Sequence, residues 1–158
     1  MSESQIKVGI AIENSGRLLL LEEWSNKKNG YFWNIVKGTY GDVDNETLFD
    51  CALRECEEEV GMRVKLVSVI VCSVENSGKN KLQLNFLAHP LKNENIKTPE
   101  KKDQESRNED IGKIGWFSKD QVRKLGPEEF ISPHSYIAVK KWLKGVFYPL
   151  DLISEILR

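Results

Sequence analysis

Three cysteines are all that the 158 residues contain, and Cys51, Cys56 and Cys72 include no CxxC pair. An odd number without paired spacing excludes a disulfide framework and a zinc ribbon, and leaves buried, reduced thiols as the reading. No run of eighteen apolar residues occurs, so no membrane-spanning helix is expected. The opening MSESQIKVGIAIEN lacks a basic stretch followed by a long apolar core, so no signal peptide is read there and the expected location is cytoplasmic. Excess charge of either sign is missing too. Lys and Arg number 23 against 24 Asp and Glu, a net charge of −1. That is neither the basic footprint of a protein that coats nucleic acid nor an acidic disordered tail, so no stable nucleic-acid partner and no membrane partner is expected. Internal repeats are absent. What is present is 40% hydrophobic and 30% charged residues over the length of one ordinary domain, so residues 1–158 are expected to form a single domain.

The hydrophobic pattern alternates between strand and helix periods. IKVGIAIE (6–13) is β-branched and apolar, Asn14-Ser15-Gly16 is a turn signal, and RLLLLEEWS follows, which predicts a hairpin. YFWNIVKG supplies a third short strand. Gly38 and Gly41 bracket a loop, GTYGDVDN, that leads into a helix from about Glu46 to Val60. Asp44 and Asn45 are both N-cap candidates, and Gly61 is the expected stop. RVKLVSVIVCSV and KLQLNFLAHPL read as two more strands joined through Asn76-Ser77-Gly78. Residues 92–110 are polar without periodicity and predict a long mobile loop. IGWF returns a strand, SKDQVRKL a short helix, and SPHSYIAVKKWLKG a helix with Pro133 near its start and Gly145 at its end. Mixed strands with intervening helices predict an α/β sandwich.

The helix at 46–60 carries the strongest chemical signal. Its segment RECEEEVG (54–61) holds four glutamates in five positions. Phe49, Ala52, Leu53, Cys56 and Val60 make an apolar stripe at helical spacing. Glu55, Glu58 and Glu59 fall within about 100° of one another and are expected on one exposed face, roughly opposite that stripe, with Glu57 on another flank. Like charges at i and i+4 cost about 0.2–0.5 kcal/mol per pair, and no Lys or Arg follows Glu55 or Glu58 by four. The repulsion is therefore expected to be relieved only by a divalent cation. Hard cations such as Mg²⁺ take oxygen ligands of this kind.

These residues match a family pattern. Glu46, then Arg54-Glu55-Cys56-Glu57-Glu58-Glu59-Val60-Gly61-Met62, resembles the Nudix box G-x5-E-x7-R-E-U-x-E-E-x-G-U, where U is apolar. Counting back six from Glu46 gives Tyr40 in place of the family glycine; Gly38, two residues further out, is read as taking that place after a two-residue insertion. The resemblance implies an α/β Nudix fold: an α/β/α sandwich with a mixed β-sheet and the catalytic helix after a Gly-containing loop. It implies a MutT-like enzyme with Mg²⁺ or Mn²⁺ as cofactor. Such enzymes hydrolyse a nucleoside diphosphate linked to another group, by water attack on phosphorus. By the same resemblance Glu55, Glu58 and Glu59 are metal ligands together with a backbone carbonyl, Gly38 being the leading candidate. Arg54 orients the glutamates, and Glu46 supports the loop–helix junction. A box glutamate or a loop carboxylate serves as general base. For the loop carboxylate, Glu105, Glu109 and Asp110 stand before Trp116, with Glu109 or Asp110 preferred. Tyr31 and Phe32 are candidates to stack on a base, Lys37 to meet a phosphate, and His89 and His134 read as structural.

The box leaves the substrate open. Residues 132–153 and EDIGKIGWFS are similar to segments of NudJ-type phosphatases of the family, which implies nucleoside tri- and diphosphates or other pyrophosphates as the small-molecule substrate. The alternatives are an ADP-ribose or sugar-nucleotide pyrophosphatase and, in another class, a catalytically idle domain that binds a nucleotide or a partner protein. Oligomeric state is not legible, a homodimer being one option.

Overall fold

The computed structural model describes residues 3–92 and 94–156. Strands β1 (Gln5–Asn14) and β2 (Arg17–Ser25) form the expected hairpin. Its turn residues Ser15 and Gly16 sit at φ 50° and 74°, the left-handed geometry that matches the twist of the flanking strands. The expected third strand is two strands, β3 (Gly30–Asn34) and β4 (Val36–Thr39), separated at Ile35. The break lets the chain change neighbours: β3 pairs antiparallel with β2, whereas β4 pairs antiparallel with β1. Strands β5 (Val64–Ser77) and β6 (Lys79–Pro90) form a long antiparallel pair, and β6 runs parallel to β1. β7 (Ile111–Phe117) closes on the other side of β2. The result is a mixed sheet in two parts, β4-β1-β6-β5 and β3-β2-β7, joined through the β1–β2 turn.

Helix α1 (Leu48–Val60) covers one face and α4 (Pro133–Lys144) the other. Strand alternation sorts the core between them. Val8, Ile10, Ile12, Leu19 and Leu21 pack with Cys51, Ala52, Cys56 and Val60 of α1. Ala11, Leu18 and Leu20 pack with Ala138, Val139 and Trp142 of α4. A mixed sheet between helices, the α/β/α sandwich that the resemblance implies, is the architecture present.

Four local expectations are corrected. Helix α1 begins at Leu48, and its N-cap is neither Asp44 nor Asn45 but Thr47, whose hydroxyl accepts from the Asp50 N–H. Asn45 is instead in the left-handed region, at φ 61°. Gly38 lies in β4, opposite Val8, as the strand reading of YFWNIVKG has it, but the loop it was expected to open begins only after Thr39. The segment 92–110 is not a featureless mobile loop: it contains α2 (Lys101–Ser106). Buried Gln104 ties that segment down, donating to the Pro99 carbonyl and accepting from the Ile111 N–H. The stop at Gly61 holds, with φ 62° and its N–H returned to the last turn of α1. A short helix α3 (Lys119–Arg123) and 3₁₀ turns at Pro127–Glu129 and Leu150–Leu152 complete the described elements. No helix among the described residues is long and apolar enough to cross a membrane.

Candidate active site

A cleft of about 410 Å³ opens where α1 meets β2, β4 and the segment before β7. Six carboxylates line it, from Glu23, Asp42, Glu55, Glu58, Glu59 and Glu109, against four cationic side chains, Lys7, Lys37, Arg54 and Arg107. One carboxylate oxygen from each of Glu55, Glu59 and Glu109 lies within 4.8 Å of the others. Three converging hard oxygen donors suit Mg²⁺ or Mn²⁺ better than a soft-ligand metal.

The rotation of α1 differs from the expected one. Glu55 and Glu59 are each only 5% exposed, while Glu57 faces solvent. Glu59 borders Ala52 of the apolar stripe itself, and buried Cys51 widens the arc as far as Glu55. At 100° per residue Glu59 lies about 20° from Ala52, and Glu55 about 40° from Cys51, so both sit inside the packed arc and not opposite it. Bare Gly38 on β4 makes this possible: a Cβ there would fall on the Glu55 carboxyl. Beside it, the Lys37 backbone N–H donates to Glu59 at 3.2 Å.

Like charge in this cluster is offset before any cation arrives, which corrects the expectation that only a metal relieves it. Arg54 donates to Glu46 through Nε (2.7 Å) and Nη2 (3.1 Å), and its Nη1 donates to Glu55 (2.8 Å) and Glu58 (3.1 Å). This single guanidinium spans the helix start and two of its glutamates, a use for which its planar fork is suited. Burial also shifts the carboxyls themselves. Burial pushes the Glu55 carboxyl up to about 7, with Arg54 opposing and Glu58 adding. Burial raises Glu59 well above the usual carboxylate range, with Glu23 and Glu109 adding to it. Glu109 is raised too, again by burial, against the pull of Arg107.

The other expected residues scatter. Glu58 is turned from the trio toward Arg54 and, at 3.9 Å, Arg107. Of the three loop carboxylates, Glu109 enters the cleft and Glu105 points to solvent from α2. Asp110 accepts a 2.7 Å bond from the Tyr31 hydroxyl. Tyr31 and Phe32 do not line the cleft: Tyr31 stands edge-on to Trp24, and Phe32 lies under Lys28. His134 is buried, bonded to Ser73 (2.5 Å) and Glu75 (3.2 Å), and His89 is 3.7 Å from Glu13.

Lys7, Glu23, Asp42, Arg107 and Asn108 line the cleft without having been singled out in the sequence. Each is one polar residue on a strand or loop, with no spacing rule to mark it. Arg107 bonds both the Glu109 carboxylate and the Glu58 carbonyl, so it docks the segment after α2 against α1. Lys7 reaches the Thr39 hydroxyl. Burial and the neighbouring Lys37 hold its ammonium below the usual lysine range.

Comparison with known proteins agrees with the box. Residues 3–138 match the NUDIX domain family. No curated protein matches the chain significantly. Among solved structures, a NUDIX hydrolase from Nitrosomonas europaea is similar with a TM-score of 0.77 at 19% identity, covering 98% of each chain. A MutT NUDIX hydrolase from Burkholderia pseudomallei scores 0.65 at 21% identity over 89% of this chain and 98% of its own. A structure described as an ADP compounds hydrolase scores 0.68 at 18% identity over 91% and 75%. With the domain match spanning most of its length and the box glutamates gathered at one cleft, the chain belongs to the Nudix family of hydrolases.

Proposed function

We propose that the protein is a divalent-metal-dependent hydrolase of nucleoside tri- or diphosphates and related pyrophosphates, with water attacking phosphorus. The observation that carries this is the convergence of Glu55, Glu59 and Glu109 within 4.8 Å in a cleft that also presents Lys7, Lys37 and Arg107. A bound Mg²⁺ or Mn²⁺ supplies charge neutralisation for the diphosphate and a water of lowered pKa. Glu55, Glu59 and Glu109 hold the ion in this reading. Arg54 keeps Glu55 and Glu58 oriented, and Lys7 and Lys37 meet the outer phosphate oxygens. The three free cysteines fit a reducing compartment, and the cytoplasm is the proposed location.

The test is a panel of nucleoside triphosphates and diphosphates, ADP-ribose, NADH, diadenosine polyphosphates and thiamine pyrophosphate, with and without Mg²⁺. Metal-dependent phosphate release from nucleoside tri- or diphosphates is the expected result, and Glu55→Gln with Glu59→Gln should abolish it. AMP from ADP-ribose in its place would assign sugar-nucleotide substrates. Tight nucleotide binding without turnover would make the domain a binding module.

A further inference from the structure

Glu23 is a carboxylate of the cleft that the box does not account for. It sits on β2, where the pairing with β7 slips between Leu21 and Glu23. Such an irregularity re-aims a side chain, and bulges concentrate beside active sites. One oxygen of Glu23 accepts a 2.7 Å bond from Nδ2 of Asn34. Asn34 is fully buried, and its Oδ1 accepts a 2.5 Å bond from the hydroxyl of Ser135, also fully buried. Ser135 is in the first turn of α4, and its N–H donates to the N-cap Ser132. A buried relay thus runs from the start of α4, through the sheet, to a carboxylate in the cleft. Buried amides and hydroxyls are costly unless each is satisfied, so the relay has one low-energy arrangement, and that arrangement aims Glu23.

The other carboxylates of the cleft are placed differently. Glu55, Glu59 and Glu109 form the trio, Glu58 is held by Arg54, and Asp42 is exposed on the turn after β4. Glu23 stands near enough to that trio for its charge to act on Glu59 and Glu109. Its second oxygen has no hydrogen-bond partner among the described residues.

Building on the hydrolase reading above, we propose that Glu23 is the group that orients the attacking water and takes its proton, with Asn34 and Ser135 as positioning residues. The water oxygen forms a bond to phosphorus, and its proton passes to Glu23. The bond from phosphorus to the leaving phosphate oxygen breaks, with the electron pair staying on that oxygen. Glu23 then returns its proton to solvent. The Asn34 amide donates to one oxygen of Glu23 and so leaves the other to face the water.

The experiment compares wild type, Glu23→Gln, Ser135→Ala and the double variant on the substrate that the panel identifies, with Mn²⁺ affinity measured in each. Glutamine keeps the bond from Asn34, so the variant folds with the relay in place. The expected result is a fall in kcat of about a hundredfold for Glu23→Gln, with Mn²⁺ affinity and KM little changed. Ser135→Ala should lower kcat in the wild-type background and do nothing further in the Glu23→Gln background. A merely structural serine would lower kcat equally in both. Full activity of Glu23→Gln overturns the proposal while leaving the hydrolase reading intact. Loss of Mn²⁺ affinity in step with activity also overturns it, by making Glu23 a ligand. A wild type inactive on every substrate overturns both readings.

Discussion

At the scale of single residues, the site depends on one absent side chain. Gly38 on β4 leaves the space that the Glu55 carboxyl fills, and Glu55 in turn reaches Arg54 on its own helix. A methyl group at position 38 must displace Glu55 or push β4 from α1. Overpacking of this kind costs about 1–3 kcal/mol. Gly38→Ala should therefore lower stability in chemical denaturation by that order and also weaken Mn²⁺ binding. Unchanged Mn²⁺ affinity in a destabilised variant would show that Glu55 does not hold the ion. The need for a glycine here was legible only from the family pattern, since the sequence does not say which side chain presses against position 38.

At the scale of an element, α1 is a helix that concentrates acid and then buries part of it. Its local rules read well from the sequence: Gly61 ends it, and Ala52, Cys56 and Val60 face the sheet. Its start did not, because Asp44, Asn45 and Thr47 all have capping chemistry and only the path of the preceding loop selects Thr47. Its rotation read only in part: Ala52 puts Glu59 at the edge of the stripe, but only the burial of Cys51 brings Glu55 inside the arc. The consequence is a pH dependence. Glu55 holds its proton up to about 7 in the fold, against an ordinary value of 4.5. Because the folded form binds the proton more tightly, the stability Glu55 contributes is full below pH 4.5 and fades as pH rises through about 7. A cation must displace that proton, so Mn²⁺ should bind more weakly at about pH 6 than at about pH 8, with proton release on binding. Calorimetry in buffers of different ionisation enthalpy measures the release. Binding with no proton release at the lower pH would contradict the assignment of Glu55 as a ligand.

At the scale of the whole molecule, distant parts of the chain hold α1 in place. Tyr148, after α4, exchanges two 2.8 Å backbone bonds with Val69 of β5. Leu150 and Ile153 pack on the α1 side of the core. Glu155 then accepts from the N–H groups of Leu48 (2.9 Å) and Phe49 (3.3 Å), 107 residues earlier for the first. A carboxylate there also meets the positive end of the α1 dipole. Glu155→Ala should cost about 1 kcal/mol, or a fall of roughly 2–4 °C in Tm at this chain length. An unchanged Tm would mean that water replaces Glu155 at no cost.

The sequence alone determined the elements whose causes are local. Alternating apolar residues make the strands, Ser15-Gly16 turns the hairpin, Gly61 stops α1, and the fixed spacing from Glu46 to Met62 marks the family. Contacts between distant segments belong to the tertiary structure alone. It buried Cys51 and Glu55 with it, brought Glu109 beside Glu55 and Glu59, and left Glu58 with two arginines. It also joined Ser135, Asn34 and Glu23 into one relay. Periodicity gives each helix a face, but packing fixes the angle at which that face meets the sheet, and a few tens of degrees decide which glutamate enters the cleft.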